Sequence, residues 1–68
     1  MNEELVKRFT YHPPKEDQTE RYQLLRATAL AYAELIVKLT PVSREQSLAL
    51  THLEDTVFWA NASIARNE

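Results

Sequence analysis

The sequence predicts an all-α fold: a short N-terminal helix followed by two long antiparallel helices, a helical hairpin that assembles as a homo-oligomer. Three observations predict it. The 68 residues include no glycine, so no turn can draw on glycine at positive φ, while the strong helix formers Ala, Leu, Glu, Gln and Arg are frequent. Apolar residues recur three and four positions apart over two long stretches. One break, Thr40-Pro41-Val42, separates those stretches.

The first helix is expected over about residues 2–8, with Asn2 as cap and Glu3 and Glu4 suiting the positive end of the helix dipole. A helix of about seven residues is not stable alone in water, so it has to dock on the rest of the protein. The second is expected over about residues 16–39. Asp17-Gln18-Thr19-Glu20 has capping-box spacing, with aspartate in place of Ser or Thr. Tyr22, Leu25, Ala29, Tyr32, Ile36 and Leu39 form its apolar stripe, and Leu24, Ala27, Ala31 and Leu35 widen it.

The third helix is expected over about residues 44–66. Ser43-Arg44-Glu45-Gln46 opens it as a capping box, with Ser43 as N-cap and Gln46 reaching back. Leu50, Leu53, Val57, Ala60 and Ile64 form the stripe; Phe58, Ala62 and Ala65 make a second apolar set on a neighbouring face, and Trp59 lies between these faces and the polar side. The short connection makes the two long helices antiparallel neighbours, so residues 1–68 read as a single hairpin domain. Two helices cannot cover two wide apolar faces, and Ala27, Ala31, Ala60, Ala62 and Ala65 let another helix approach closely. A homo-oligomer containing two-fold axes, with Trp59 as an anchor, is the expected consequence.

Composition excludes several functions. The absence of cysteine removes disulfides and thiolate metal sites and suits a reducing cytoplasm. No apolar run approaches the roughly 20 residues of a membrane span, and Met1-Asn2-Glu3-Glu4 does not start a signal peptide. A net charge of −2 argues against sequence-blind binding to long nucleic acid, although two or three arginines can still hold a small anion. Without glycine there is no P-loop and no dinucleotide-binding turn. His12 and His52 have no second His or Cys at ligand spacing, and Glu54 and Asp55 point to different sides of a helix. No catalytic residue, metal site or cofactor is expected. His52 reads as a structural residue, and Glu45, Glu54 and Asp55 as a solvated face.

The stretch with recognition chemistry is Phe9-Thr10-Tyr11-His12-Pro13-Pro14. Proline fixes its own φ and drives the preceding residue out of the α region, so Tyr11 and His12 are held extended before Pro13. A rigid exposed aromatic can stack on a base. Lys7 and Arg8 precede the loop, Lys15 follows it, and Arg21 and Arg26 lie on the first half of the second helix. Guanidinium grips phosphate bidentately. Tyr11 with Arg26 and Arg21 therefore makes a plausible nucleotide site; the alternative is that the two arginines only pair with Asp17 and Glu20 on the helix surface. Near the end of the third helix, Asn61, Ser63, Arg66 and Asn67 place hydrogen-bonding groups on an apolar helix. Arg66 there complements the helix dipole, and copies of Arg66 and Asn67 converging at a symmetry axis would line a second polar pocket.

Four motifs together, Phe9-Thr10-Tyr11-His12-Pro13-Pro14, Gln18-x-x-Arg21-Tyr22, Pro41-x-Ser43-Arg44-Glu45-x-Ser47-Leu48-Ala49-Leu50 and Trp59-Ala60-Asn61-Ala62-Ser63-Ile64-Ala65-Arg66-Asn67, cover almost the whole chain. In these the sequence resembles the phage anti-CBASS cyclic-nucleotide sponges, related to the Thoeris anti-defence hairpin domain. CBASS is a bacterial antiphage system signalling through cyclic oligonucleotides. The resemblance implies a homohexamer of helical hairpins in the cytoplasm of the bacterial host. It implies binding of cyclic dinucleotides such as 3',3'-cGAMP, and in some members cyclic trinucleotides in separate pockets, without cleavage. Tyr11 then matches the position that stacks on the base. Arg26 falls where relatives carry a ligand-contacting lysine, and Arg66 and Asn67, with Asn61, match the tail motif of a trinucleotide site. His12, Pro13, Arg21, Lys7 and Arg8 complete the expected ligand-binding set. The competing expectation is a protein–protein inhibitor of a host defence enzyme, docking through Phe58 and Trp59.

Overall fold

The computed structural model describes residues 2–68; Met1 of the expected N-terminal segment lies outside the described residues. The described residues are all-helical, with α1 at Glu3–Phe9, α2 at Gln18–Leu39 and α3 at Arg44–Asn67. α2 and α3 pack along each other as an antiparallel hairpin, and α1 makes only sparse helix contacts at the open end. No helix among the described residues is long and apolar enough to cross a membrane.

Local chemistry sets the helix ends. Asn2 Oδ1 accepts from the main-chain N–H groups of Glu4 (2.9 Å) and Leu5 (3.3 Å), capping α1 as expected. Ser43 Oγ accepts from Gln46 N at 3.1 Å and caps α3. Gln46 departs from the capping-box expectation: its Nε2 donates to the Thr40 carbonyl (3.1 Å) and hydroxyl (3.0 Å). That bond links the end of α2 to the start of α3, because Thr40 Oγ1 itself donates to Ile36 O at 2.7 Å.

The expected cap at Asp17 does not form. Asp17 is the N-cap but makes no side-chain cap bond, and its carboxylate pairs with Arg21 one turn on, at 3.2 Å. α2 also begins later than residue 16, because Glu16 sits at φ 51°. In a chain without glycine, a non-glycine residue has to take that left-handed position, at a cost of about 1–2 kcal/mol. Glu16→Gly removes the strain and returns part of the gain as unfolded-chain entropy. A rise in Tm of about 2–8 °C is expected by calorimetry; a fall would mean that the Glu16 side chain makes a contact of its own.

The packed seam is narrower than the expected stripe: Leu24, Ala27, Ala31 and Leu35, expected to widen it, are all exposed. Tyr22, Leu25, Ala29, Ala33 and Ile36 of α2 are the residues partly covered against Leu50, Leu53, Val57, Ala60 and Ile64 of α3. Tyr32 and Leu39, expected in the stripe, are exposed. A helix turns 3.6 residues per revolution, so positions 32 and 33 compete for the seam, and the small Ala33 lets the helices close.

No hydrophobic residue is buried among those described, and Leu24, Leu30, Leu35, Val37, Phe58 and Trp59 are all exposed. The dimensions are 49 × 25 × 12 Å, and the radius of gyration is 15.1 Å. A compact chain of this length would have about 11 Å. The hairpin thus leaves most of its apolar surface in water.

Candidate functional site

The antiparallel hairpin returns the end of α3 to the start of α2, beside the loop that leaves α1. There Arg8, Thr10, Tyr11, His12 and Pro14 face Tyr22 and Arg26 of α2 and Phe58, Asn61, Ala62, Ala65 and Arg66 of α3 across an open groove of about 460 Å³.

The loop is held from both sides. His12 Nε2 lies 2.8 Å from the Lys7 carbonyl, and since a carbonyl only accepts, that nitrogen carries the proton. The bond satisfies one of the last carbonyls of α1. At the other side, Gln18 Oε1 accepts from Lys15 N at 3.2 Å. Between these anchors Pro13 and Pro14 stiffen the backbone, and Tyr11 stands 79 % exposed, its ring free to stack.

Charge in the groove is positive and partly uncommitted. Among the described residues the ion pairs are Arg8–Glu4, Arg21–Asp17 and Arg21–Glu68. Arg26 and Arg66 therefore line the groove without an ion-pair partner. Asn61 adds an unpartnered acceptor: its Oδ1 is shielded from solvent and makes no hydrogen bond. An acceptor shielded without a partner is costly, and a ligand N–H would satisfy it.

The expected site residues thus divide. Tyr11, His12, Arg8 and Arg26 come together in the groove, and Asn61 and Arg66, expected in a separate pocket, line the same groove. Lys7 contributes its carbonyl to His12. Pro13 is exposed beside the lining residue Pro14. Asn67 turns back along α3, where its Nδ2 donates to Ser63 O at 2.9 Å.

Arg21 is engaged in ion pairs at this end of the molecule, the Asp17 pair being the one that the surface-pair alternative named. Its Nε bonds Asp17 Oδ1 at 3.2 Å, its Nη1 bonds Glu68 Oε2 at 2.8 Å, and its Nη2 bonds Glu68 Oε1. Sequence reading missed Gln18, Tyr22, Phe58 and Glu68 as parts of this end of the molecule. Only the spacing of the hairpin, which brings residues near 60–68 back to residues near 15–26, could have signalled them.

The hydrogen bonds from Arg21, then Gln18, hold the Glu68 carboxyl down at about 2, against 4.5 ordinarily, and the same pairing holds Arg21 firmly protonated. The sign follows from a depressed carboxylate: the pair's contribution is present above about pH 4.5 and is lost as pH falls through about 2. A carboxyl-carbon NMR titration should place the Glu68 midpoint near the lower value; a midpoint at the ordinary value would mean that the pair does not persist in solution.

A second groove of about 470 Å³ shares Arg26 and continues along the hairpin between Ala29, Leu30 and Ala33 of α2 and Leu50, Leu53, Glu54 and Val57 of α3. It is lined mostly by apolar side chains. Phe58 and Trp59 stack edge to face, with ring centroids 5.1 Å apart.

A family model described as the Acb2/Tad1 hairpin domain matches residues 1–65. No curated protein and no solved structure matches the chain.

Proposed function

The chain belongs to the Acb2/Tad1 hairpin-domain family, and on that premise we propose that it is a phage anti-defence sponge. It binds cyclic oligonucleotide second messengers in the bacterial host cytoplasm, holds them without cleaving them and so starves the CBASS effector of its signal. The ligands are cyclic dinucleotides such as 3',3'-cGAMP, with cyclic trinucleotides as a second class. The observation that carries this reading is the groove lined by both the stiffened, exposed Tyr11 ring and Arg26, a guanidinium with no ion-pair partner among the described residues. Tyr11 stacks on a base, and Arg26 grips phosphate bidentately. Where relatives use lysine, arginine exchanges a point charge for a planar fork.

The groove of one hairpin is open, and we place the complete site between copies. A cyclic dinucleotide has two bases and two phosphates related by a true or approximate two-fold axis. A two-fold pair of hairpins presents Tyr11 and Arg26 once to each half. The exposed leucines of α2 and the apolar second groove support such assembly, with a homohexamer as the proposed state. Asn61, Arg66 and Asn67 belong to the trinucleotide part of the proposal. The unpartnered Asn61 Oδ1 favours a ligand N–H at that position.

A panel of cyclic di- and trinucleotides tested for a rise in Tm decides the reading. A ligand at a hundred times its Kd stabilises the state that binds it by about 2.7 kcal/mol. A rise with cyclic dinucleotides and none with their linear counterparts is expected. No rise with any of them, together with capture of a host enzyme through Phe58 and Trp59, would establish the protein–protein inhibitor instead.

A further inference from the structure

We propose that Glu68, acting through Gln18 and Arg21, is a positioning residue that clasps the end of α3 to the exit of the Tyr11 loop and so fixes the groove for ligand; this rests on the sponge reading above. Gln18 is the one buried residue among those described, 3 % exposed. Its carboxamide is used at both ends: Oε1 accepts from Lys15 N at 3.2 Å, and Nε2 donates to Glu68 Oε1 at 3.1 Å. Arg21 bonds both Glu68 carboxylate oxygens, and Lys15 Nζ donates to the Glu68 main-chain oxygen at 2.7 Å. Residues separated by some fifty positions are thereby joined where Pro13-Pro14 runs into Lys15.

Glu68 admits two roles with opposite consequences. A carboxylate on a guanidinium fork is also what a ligand phosphate would look like there, and Glu68 would then be a built-in competitor. The geometry favours the clasp. Arg21 does not line the groove, and its remaining edge is held by Asp17. A ligand that displaced Glu68 would have to replace, at one point, its bonds from both arms of Arg21, from the buried Gln18 Nε2 and from Lys15 Nζ. The bonds to Lys15 on one side and to α3 on the other restrict the segment that carries Tyr11. A loop ordered in advance binds with less loss of conformational freedom.

A double-mutant cycle of Glu68→Gln and Arg21→Gln in the assembled protein tests this. Two readouts are taken: affinity for 3',3'-cGAMP by calorimetry, and backbone order parameters at Tyr11, His12, Leu53 and Val57 by NMR. The clasp predicts that each single variant and the double weaken binding alike, by about tenfold, because all three break one unit. Order parameters at Tyr11 and His12 fall from about 0.85 toward about 0.6, while Leu53 and Val57 hold theirs. Tighter binding in Glu68→Gln with weaker binding in Arg21→Gln would overturn the clasp in favour of the competitor. Additive losses, unchanged affinity or equal loosening at all four residues would also overturn it. If the unaltered protein bound no cyclic nucleotide, the sponge reading would fail on its own, and the order parameters would still decide the clasp.

Discussion

Tyr11→Ala is expected to abolish useful capture of cyclic dinucleotides while leaving the helices and their assembly intact. The Tyr11 ring is largely exposed, so its removal takes little packing from the hairpin. Stacking of an aromatic side chain on a base is worth about 1–3 kcal/mol. In a two-fold site the loss is incurred at both bases, so about 2–6 kcal/mol is expected, or roughly thirtyfold to more than ten-thousandfold in Kd. Tyr11→Phe keeps the ring and should stay within a few-fold of the unaltered protein. Calorimetric titration of the three proteins against one ligand, with circular dichroism as the folding control, measures this. An unchanged Kd in Tyr11→Ala would move the site away from the loop.

The second large effect is expected at the exposed ridge of α2. Leu24 and Leu35 lie on one side of the helix, away from the seam with α3, and both are exposed in the single chain. Fully burying a leucine side chain is worth about 1.5–3 kcal/mol, and a single hairpin has no buried hydrophobic residue among those described. Replacing both with glutamate puts charge where the proposed assembly needs apolar contact. Each copy of an interface repeats in a closed oligomer, so the penalty multiplies with subunit number. Light scattering coupled to size exclusion should show the unaltered protein as a hexamer and the Leu24→Glu, Leu35→Glu variant as a monomer. The monomer should have lost most of its helical signal at 222 nm. A variant that remained assembled would remove this ridge from the interface.

What could be read from the chain before its structure was local in origin. Asn2 and Ser43 act on amides two or three residues away, and both caps form as their spacing implies. The all-helical hairpin follows from periodicity and from one proline-bearing break. The groove was half legible: the rigid loop with Tyr11 and the basic Arg26 stood out by composition. Their meeting with Asn61 and Arg66 depends on how far α3 runs back along α2. The clasp was not legible, because Gln18 and Glu68 are polar residues whose pairing exists only once the hairpin closes. Glu16 gave no signal either, since in a glycine-free chain nothing marks which residue will take the left-handed position. The exchange of Tyr32 for Ala33 at the seam shows where periodicity stops: two adjacent positions satisfy it, and packing volume decides between them.

Capture without chemistry, at a site completed by several copies, is what the sponge reading requires. It is tested most directly by titrating the purified assembly with 3',3'-cGAMP, then denaturing it by heat and identifying the released nucleotide by mass. Saturation at a fixed ratio of ligand to two-fold site is expected, with the nucleotide recovered with its ring unbroken. Release of a linear product, or a protein that stays monomeric and takes up no nucleotide, would contradict it.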